Sequence, residues 1–235
     1  MMQAGYILAG LVLVLMAWFA LPFLKRKVEE RRLEKLCHAR KAIVLTYDDG
    51  PGEELTARML DLLGARQVKA TFFALGGNVR LRPALAARIV AEGHDLGSHT
   101  HNHSNAWKTL PWTAAIDVDN GVKAINQAGG RGTFFRAPFG KLTLASLVHG
   151  ALAGLDYAWW TIDSRDSWAR RDIADVEREI TAKGGGVLLM HDFDHYAKAP
   201  AQPSHAEHVL DLTRRIIDLA QQRGFKIMPL SVLLK

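Results

Sequence analysis

Only one cysteine, Cys37, stands among the 235 residues, so no intramolecular disulfide can form and stability must come from packing. Residues 1–24 contain no charged side chain at all. Internal repeats and low-complexity tracts are also missing, which removes solenoid and low-complexity architectures. A basic surplus is nearly absent from the body of the chain. The formal net charge is +6, but residues 25–41 hold eight bases against three acids, and everything after them holds 22 bases against 21 acids. With no stripe of bases interleaved with aromatics, no nucleic-acid partner is expected. What remains is 49% apolar and 23% charged, a composition that suits a packed domain of moderate size.

Gly5 to Leu24 is an uncharged run of twenty residues, enough as a helix to span a hydrocarbon core of about 30 Å. It lacks the basic start and small-residue cleavage site of a signal peptide, so an uncleaved transmembrane anchor over 1–24 is the expectation. Residues 25–41 then read as a basic juxtamembrane helix or linker, with Glu30 and Glu34 supplying internal pairs. Because the flanking cations lie on the C-terminal side, the positive-inside rule places the rest of the chain, 42–235, on the cytoplasmic face of the inner membrane. Membrane lipids would then be partners through the anchor and its basic flank.

From residue 42 onward, short apolar runs alternate with amphipathic stretches. Strands are predicted at Ala42–Tyr47, Ala70–Leu75, Asp95–Ser98, Thr133–Arg136, Asp156–Ile162, Val187–Met190 and Lys226–Leu230. Helices are predicted near 53–66, 80–92, 112–128, 143–153, 172–183 and 205–222. That alternation indicates an α/β fold with a parallel sheet, either open or closed like a barrel. In such folds the site lies in loops after the strand C-termini.

Polar residues able to do chemistry sit at those strand ends. Thr46-Tyr47-Asp48-Asp49-Gly50 ends the first, where one carboxylate could hold a cation while its neighbour stays free as a base. His99-Thr100-His101-Asn102-His103 follows the third. His99 and His103, at i and i+4, would face one way on a helical turn and could share a metal ion, with His101 pointing elsewhere. Two histidines and one carboxylate leave coordination positions open, which marks a catalytic metal site. Arg136-Ala137-Pro138-Phe139-Gly140, Asp163-Ser164-Arg165-Asp166-Ser167-Trp168 and Leu188-Leu189-Met190-His191 follow the fourth, fifth and sixth strands.

In order and spacing, TYDDG, HTHNH, RAPFG, DSRDSW and LLMH resemble the five motifs of NodB-type polysaccharide deacetylases, carbohydrate esterase family 4. The resemblance implies a distorted (β/α) barrel and metal-dependent removal of N-acyl groups, acetyl or formyl, from amino sugars. It implies that Asp49, His99 and His103 hold a divalent ion, zinc most commonly, with cobalt or nickel as alternatives. Asp48 would be the general base, paired with Arg136, and His191 the general acid. Asp166 or Asp163 would be the carboxylate behind His191. Phe139 would lend a backbone N–H to the oxyanion, and Trp168 would line the substrate site. Ser167 departs from the family pattern by separating the aspartate from its tryptophan.

Topology narrows the substrate further. A cytoplasmic, membrane-tethered catalytic domain would meet a lipid-linked amino sugar or glycan precursor. The alternatives are an extracytoplasmic deacetylase of peptidoglycan or chitin-type polymers, O-deacetylation by the same machinery, and a non-catalytic membrane-anchored glycan-binding protein.

Overall fold

The computed structural model describes residues 2–194, 196 and 203–235; before Met16, only Tyr6 and Gly10 are described beyond the backbone. One helix, α1 (Met2–Arg40), leads into a repeating βα chain. Strands β1 (Ala42–Asp48), β2 (Thr71–Ala74), β3 (Asp95–Ser98), β4 (Phe134–Phe135), β5 (Asp156–Tyr157), β6 (Ile162–Asp163), β7 (Gly186–His191) and β8 (Lys226–Ile227) form a single sheet. Between and after them run α2 (Leu55–Ala65), α3 (Gly76–Leu81), α4 (Pro83–Ala91), α5 (Pro111–Gln127), α6 (Leu144–Leu152), α7 (Ile173–Lys183), α8 (His205–Arg223) and α9 (Leu230–Leu233). The strand order is β5-β4-β3-β2-β1-β7-β6, with β8 paired to the start of β1 and every pairing parallel. The sheet curls into a half-barrel, consistent with the expected barrel class.

β1 shows why the sheet has two packed faces. All seven of its residues are buried. Ile43, Leu45 and Tyr47 pack with the surrounding helices, while Ala42 and Val44 join a second core with Phe73, Phe135, Trp159 and Val187. A strand covered on both faces loses the apolar–polar alternation and reads as a continuous apolar run. Register then aligns the chemistry, because Asp48 pairs with Phe73 on one side and His191 on the other.

Two expectations change. The predicted strand 156–162 is broken into β5 and β6, which lie at opposite ends of the sheet path, with Trp159 and Trp160 in the connection. The second change concerns the membrane. Among the described residues, no helix is long and apolar enough to cross a bilayer, so a single-pass inner-membrane placement is not supported.

From Phe19 onward, side chains of α1 reach the domain. α1 continues through Pro22 without a break. Phe19 packs edge-on against Trp107 at 5.4 Å. Lys25 and Arg26 lie over Tyr157 and Trp160, at 5.3 and 4.6 Å. Leu33 and Cys37 are buried in the second core beside Trp159. Part of the basic flank thus caps aromatic rings of the domain. The cytoplasmic orientation, the lipid contacts and the lipid-linked substrate that rested on the anchor lose their support with it.

Candidate active site

Asp48 is the last residue of β1 and is buried. Arg136, fully buried just after β4, donates from Nη1 to Asp48 Oδ1 and to Thr46 Oγ1, both at 2.8 Å, and from Nη2 to Trp159 O at 3.3 Å. Its guanidinium also lies 4.2 Å from the Phe73 ring. Burial raises the Asp48 carboxyl above the ordinary range even against the pull of Arg136, which favours a proton-accepting carboxylate over an inert one. Asp192 secures the turn that follows, accepting from Gly50 N at 3.1 Å and Thr56 Oγ1 at 2.7 Å. A Cβ at position 50 would overlap the Asp192 carboxylate, so glycine is required there.

Asp49 turns the other way, with φ at 75°. Its Oδ2 accepts from the Tyr196 hydroxyl at 2.8 Å. Its Oδ1 is buried without a hydrogen-bond donor and lies 3.4 Å from His99 Nε2 and 3.2 Å from His103 Nε2. Burial pushes His99 down to about 3, so the ring is neutral; Nδ1–H donates to Arg136 O at 2.8 Å, leaving the Nε2 lone pair free. The three ligand atoms all lie within 4.8 Å of one another. A desolvated carboxylate oxygen with no donor, set between imidazole nitrogens, is costly unless a cation fills the gap. These residues fit a divalent ion.

The pair expected from i, i+4 spacing is the pair that converges, but not on a helical turn. Residues 99–105 form a loop, with Thr100 at φ 68° and His103 at φ 61°. Asp117 of α5 ties it down, accepting from Asn102 N, Asn102 Nδ2 and Ser104 N at 2.9, 2.8 and 3.2 Å. Positive φ at non-glycine residues stores strain that packing must hold, and such residues gather at functional sites. His101 stays outside the cluster.

His191 ends β7. Its Nδ1–H donates to Asp166 Oδ1 at 2.9 Å, and its backbone N–H to Asp166 Oδ2 at 2.9 Å. Asp166, not Asp163, is therefore the carboxylate behind the imidazole. Ser164 Oγ also donates to Asp166, at 2.8 Å, and Asp163 accepts instead from Arg165 N. Burial alone would lower His191, but the charge and hydrogen bond of Asp166 outweigh it and lift the imidazole to about 10. Burial raises Asp166 in turn, yet His191 and Ser164 leave it below the usual carboxylate range.

These groups open on a cavity of about 720 Å³ whose wall includes Phe139, Trp160 and Trp168. Phe139 is 54% exposed, sits at φ 58° and places its ring 4.5 Å from that of His103. Trp168 reaches the wall despite Ser167, and the residue remains 52% exposed. Some contributors lie outside the motifs. Trp160 belongs to the β5–β6 connection, Tyr196 holds Asp49, and Arg26 of α1 braces the wall from behind. Arg26 donates to Gly140 O at 3.1 Å, stacks 5.2 and 4.6 Å from Trp159 and Trp160, and pairs with Glu30. Nothing in the local sequence distinguishes Arg26 from its basic neighbours.

The sequence model of the polysaccharide deacetylase family matches residues 35–158. A chitooligosaccharide deacetylase from Bradyrhizobium is 33% identical over 206 residues, covering 82% of this chain and 90% of its own. A peptidoglycan-N-acetylglucosamine deacetylase from Bacillus cereus is 30% identical, covering 83% and 89%. Among solved structures, a peptidoglycan N-acetylglucosamine deacetylase superposes with a TM-score of 0.71 at 26% identity, over 83% of this chain and 89% of that one. A family 4 carbohydrate esterase from Streptomyces lividans superposes with 0.67 at 25%, over 80% and 91%. The chain belongs to the NodB-type polysaccharide deacetylases of carbohydrate esterase family 4, hydrolases of the amide bond in N-acetyl sugars.

Proposed function

We propose that this chain removes acetyl groups from N-acetylglucosamine units of an oligo- or polysaccharide, with one divalent cation held by Asp49, His99 and His103. The observation carrying this reading is Asp49 Oδ1, buried without a donor between two imidazole nitrogens, beside a buried Asp48–Arg136 pair and a proton-bearing His191. Two nitrogens and one oxygen suit zinc, with cobalt and nickel next in fit. When bound, the ion supplies Lewis-acid polarisation of the acyl carbonyl and acidifies a water.

The remaining work falls to the chain. Asp48 accepts the attacking water's proton on its carboxylate, held in place by Arg136 Nη1. Developing negative charge on the acyl oxygen is met by the Phe139 backbone N–H, provided by the turn that Gly140 completes. His191, charged and oriented through Nδ1 by Asp166, delivers a proton from Nε2 to the departing sugar nitrogen. Trp160 and Trp168 offer flat apolar faces on which a sugar ring can lie. Names of the relatives, which act on chitooligosaccharides and on peptidoglycan N-acetylglucosamine, support this substrate class.

The test is release of acetate, matched mole for mole by free amine, from N-acetylglucosamine oligomers. Wild-type activity that disappears in Asp48→Asn, with the fold retained, is expected. Acetate release by Asp48→Asn at the wild-type rate would remove Asp48 from the role of base.

A further inference from the structure

A second concavity, of about 550 Å³, adjoins the catalytic cavity, and Trp160 and Asp163 line both. Its far walls are α1 and α7. A ligand leaving the catalytic cavity across Trp160 therefore enters this groove. Trp160 is fixed at the junction by the Arg26 guanidinium behind it.

The groove's charge is balanced. Glu30, Glu34, Asp163 and Glu179 supply four carboxylates, and four cations face them. Several are already paired: Lys183 with Glu34 and Glu179, each at 3.0 Å, Arg171 with Glu179 at 2.7 Å, and Lys27 with Glu30 at 2.7 Å. A polyanion or a polycation finds no surplus of opposite charge in such a surface. A neutral ligand rich in hydroxyls finds fixed donors and acceptors side by side. Three of the lining residues, Lys27, Glu30 and Glu34, belong to α1 and precede residue 35, where the family match begins.

We infer that the groove between α1 and α7 is a sugar-binding subsite that receives the units next to the one being deacetylated, making a neutral oligosaccharide of several residues the preferred substrate. The inference rests on the deacetylase reading above, and α1 thereby becomes part of the substrate site.

The experiment compares kcat/KM for acetate release from N-acetylglucosamine dimer through pentamer, in wild type and in Lys27→Ala and Glu34→Ala, with thermal melts confirming the fold. Calorimetric titration of pentamer into Asp48→Asn provides a binding readout independent of turnover. The pentamer is expected to exceed the dimer by about tenfold or more in wild type, and each variant should bring that ratio toward one. Acetate release with equal kcat/KM for dimer and pentamer overturns the subsite and leaves the deacetylase reading standing. A wild-type length preference that both folded variants keep also overturns it. No acetate from any oligomer, with no pentamer binding, overturns both.

Discussion

Asp48, Arg136, Asp166 and His191 are buried or nearly so at strand ends, and each has a charged partner within 2.9 Å. Phe139 and Trp168, by contrast, stand more than half exposed, and Trp160 keeps its place through an arginine from a helix at the other end of the sequence. The floor of the cavity is held by backbone register; the wall is held by side-chain packing. A floor of this kind tolerates almost no change of chemistry at a fixed position. A wall of this kind should yield gradually and should govern which substrate is accepted.

Breaking the floor produces the largest effects. Asp48→Asn removes the proposed base and should lower kcat by about 10² to 10⁴, with KM little changed, in steady-state assays of acetate release. The Asp166→Asn variant separates orientation from charge. In wild type the carboxylate lifts His191 to about 10, so the imidazole stays protonated across neutral pH, and activity that needs it as the proposed acid should fall only as pH rises through that value. Without the carboxylate, burial lowers the imidazole, and the basic limb of the pH–rate profile should move to lower pH. Loss should therefore be greater at pH 8 than at pH 6; an unmoved basic limb would detach His191 from the proton-donating step.

Breaking the wall should cost less. Arg26→Ala frees the Gly140 carbonyl and one face of Trp160, and kcat/KM should drop roughly tenfold as the positioned groups loosen. A loss as large as that of Asp48→Asn would erase the distinction between wall and floor. Leu33→Ala acts on the packing beneath the wall. A cavity at that buried site should destabilise the fold by about 2–4 kcal/mol, read as a lower Tm, while the metal-ligand geometry persists. The smallest effect is expected at Cys37, whose burial raises the thiol to about 12; a thiol reagent should leave it unmodified in the native protein.

The same division explains what was legible in the sequence. Asp48, Asp49, His99, Arg136 and His191 each directly follow or end a strand, so one-dimensional order already implied their convergence. The parallel βα alternation was equally plain. His99 and His103 were paired by helical spacing, yet a strained loop tied to Asp117 brings them together, a contact that spacing does not encode. Nothing in the local sequence separates Asp166 from Asp163, whereas in the fold both the backbone N–H and the imidazole of His191 address Asp166. Arg26 lies 114 residues from Gly140, and no local pattern announces such a contact. The uncharged run before it misleads for a related reason. Hydropathy reports the composition of a segment and not its contacts: Phe19, inside the run, packs against Trp107, and Leu33 and Cys37, after it, are buried in the second core.

The proposed deacetylase activity depends on a cation held by Asp49, His99 and His103. It is tested most directly by the initial rate of acetate release from an N-acetylglucosamine tetramer, using chelator-treated protein before and after zinc is added back. The expected result is no measurable rate before addition and recovery near one equivalent of metal per chain, with no recovery in His103→Ala. An unchanged rate in the metal-free protein, or full recovery in His103→Ala, would contradict the account.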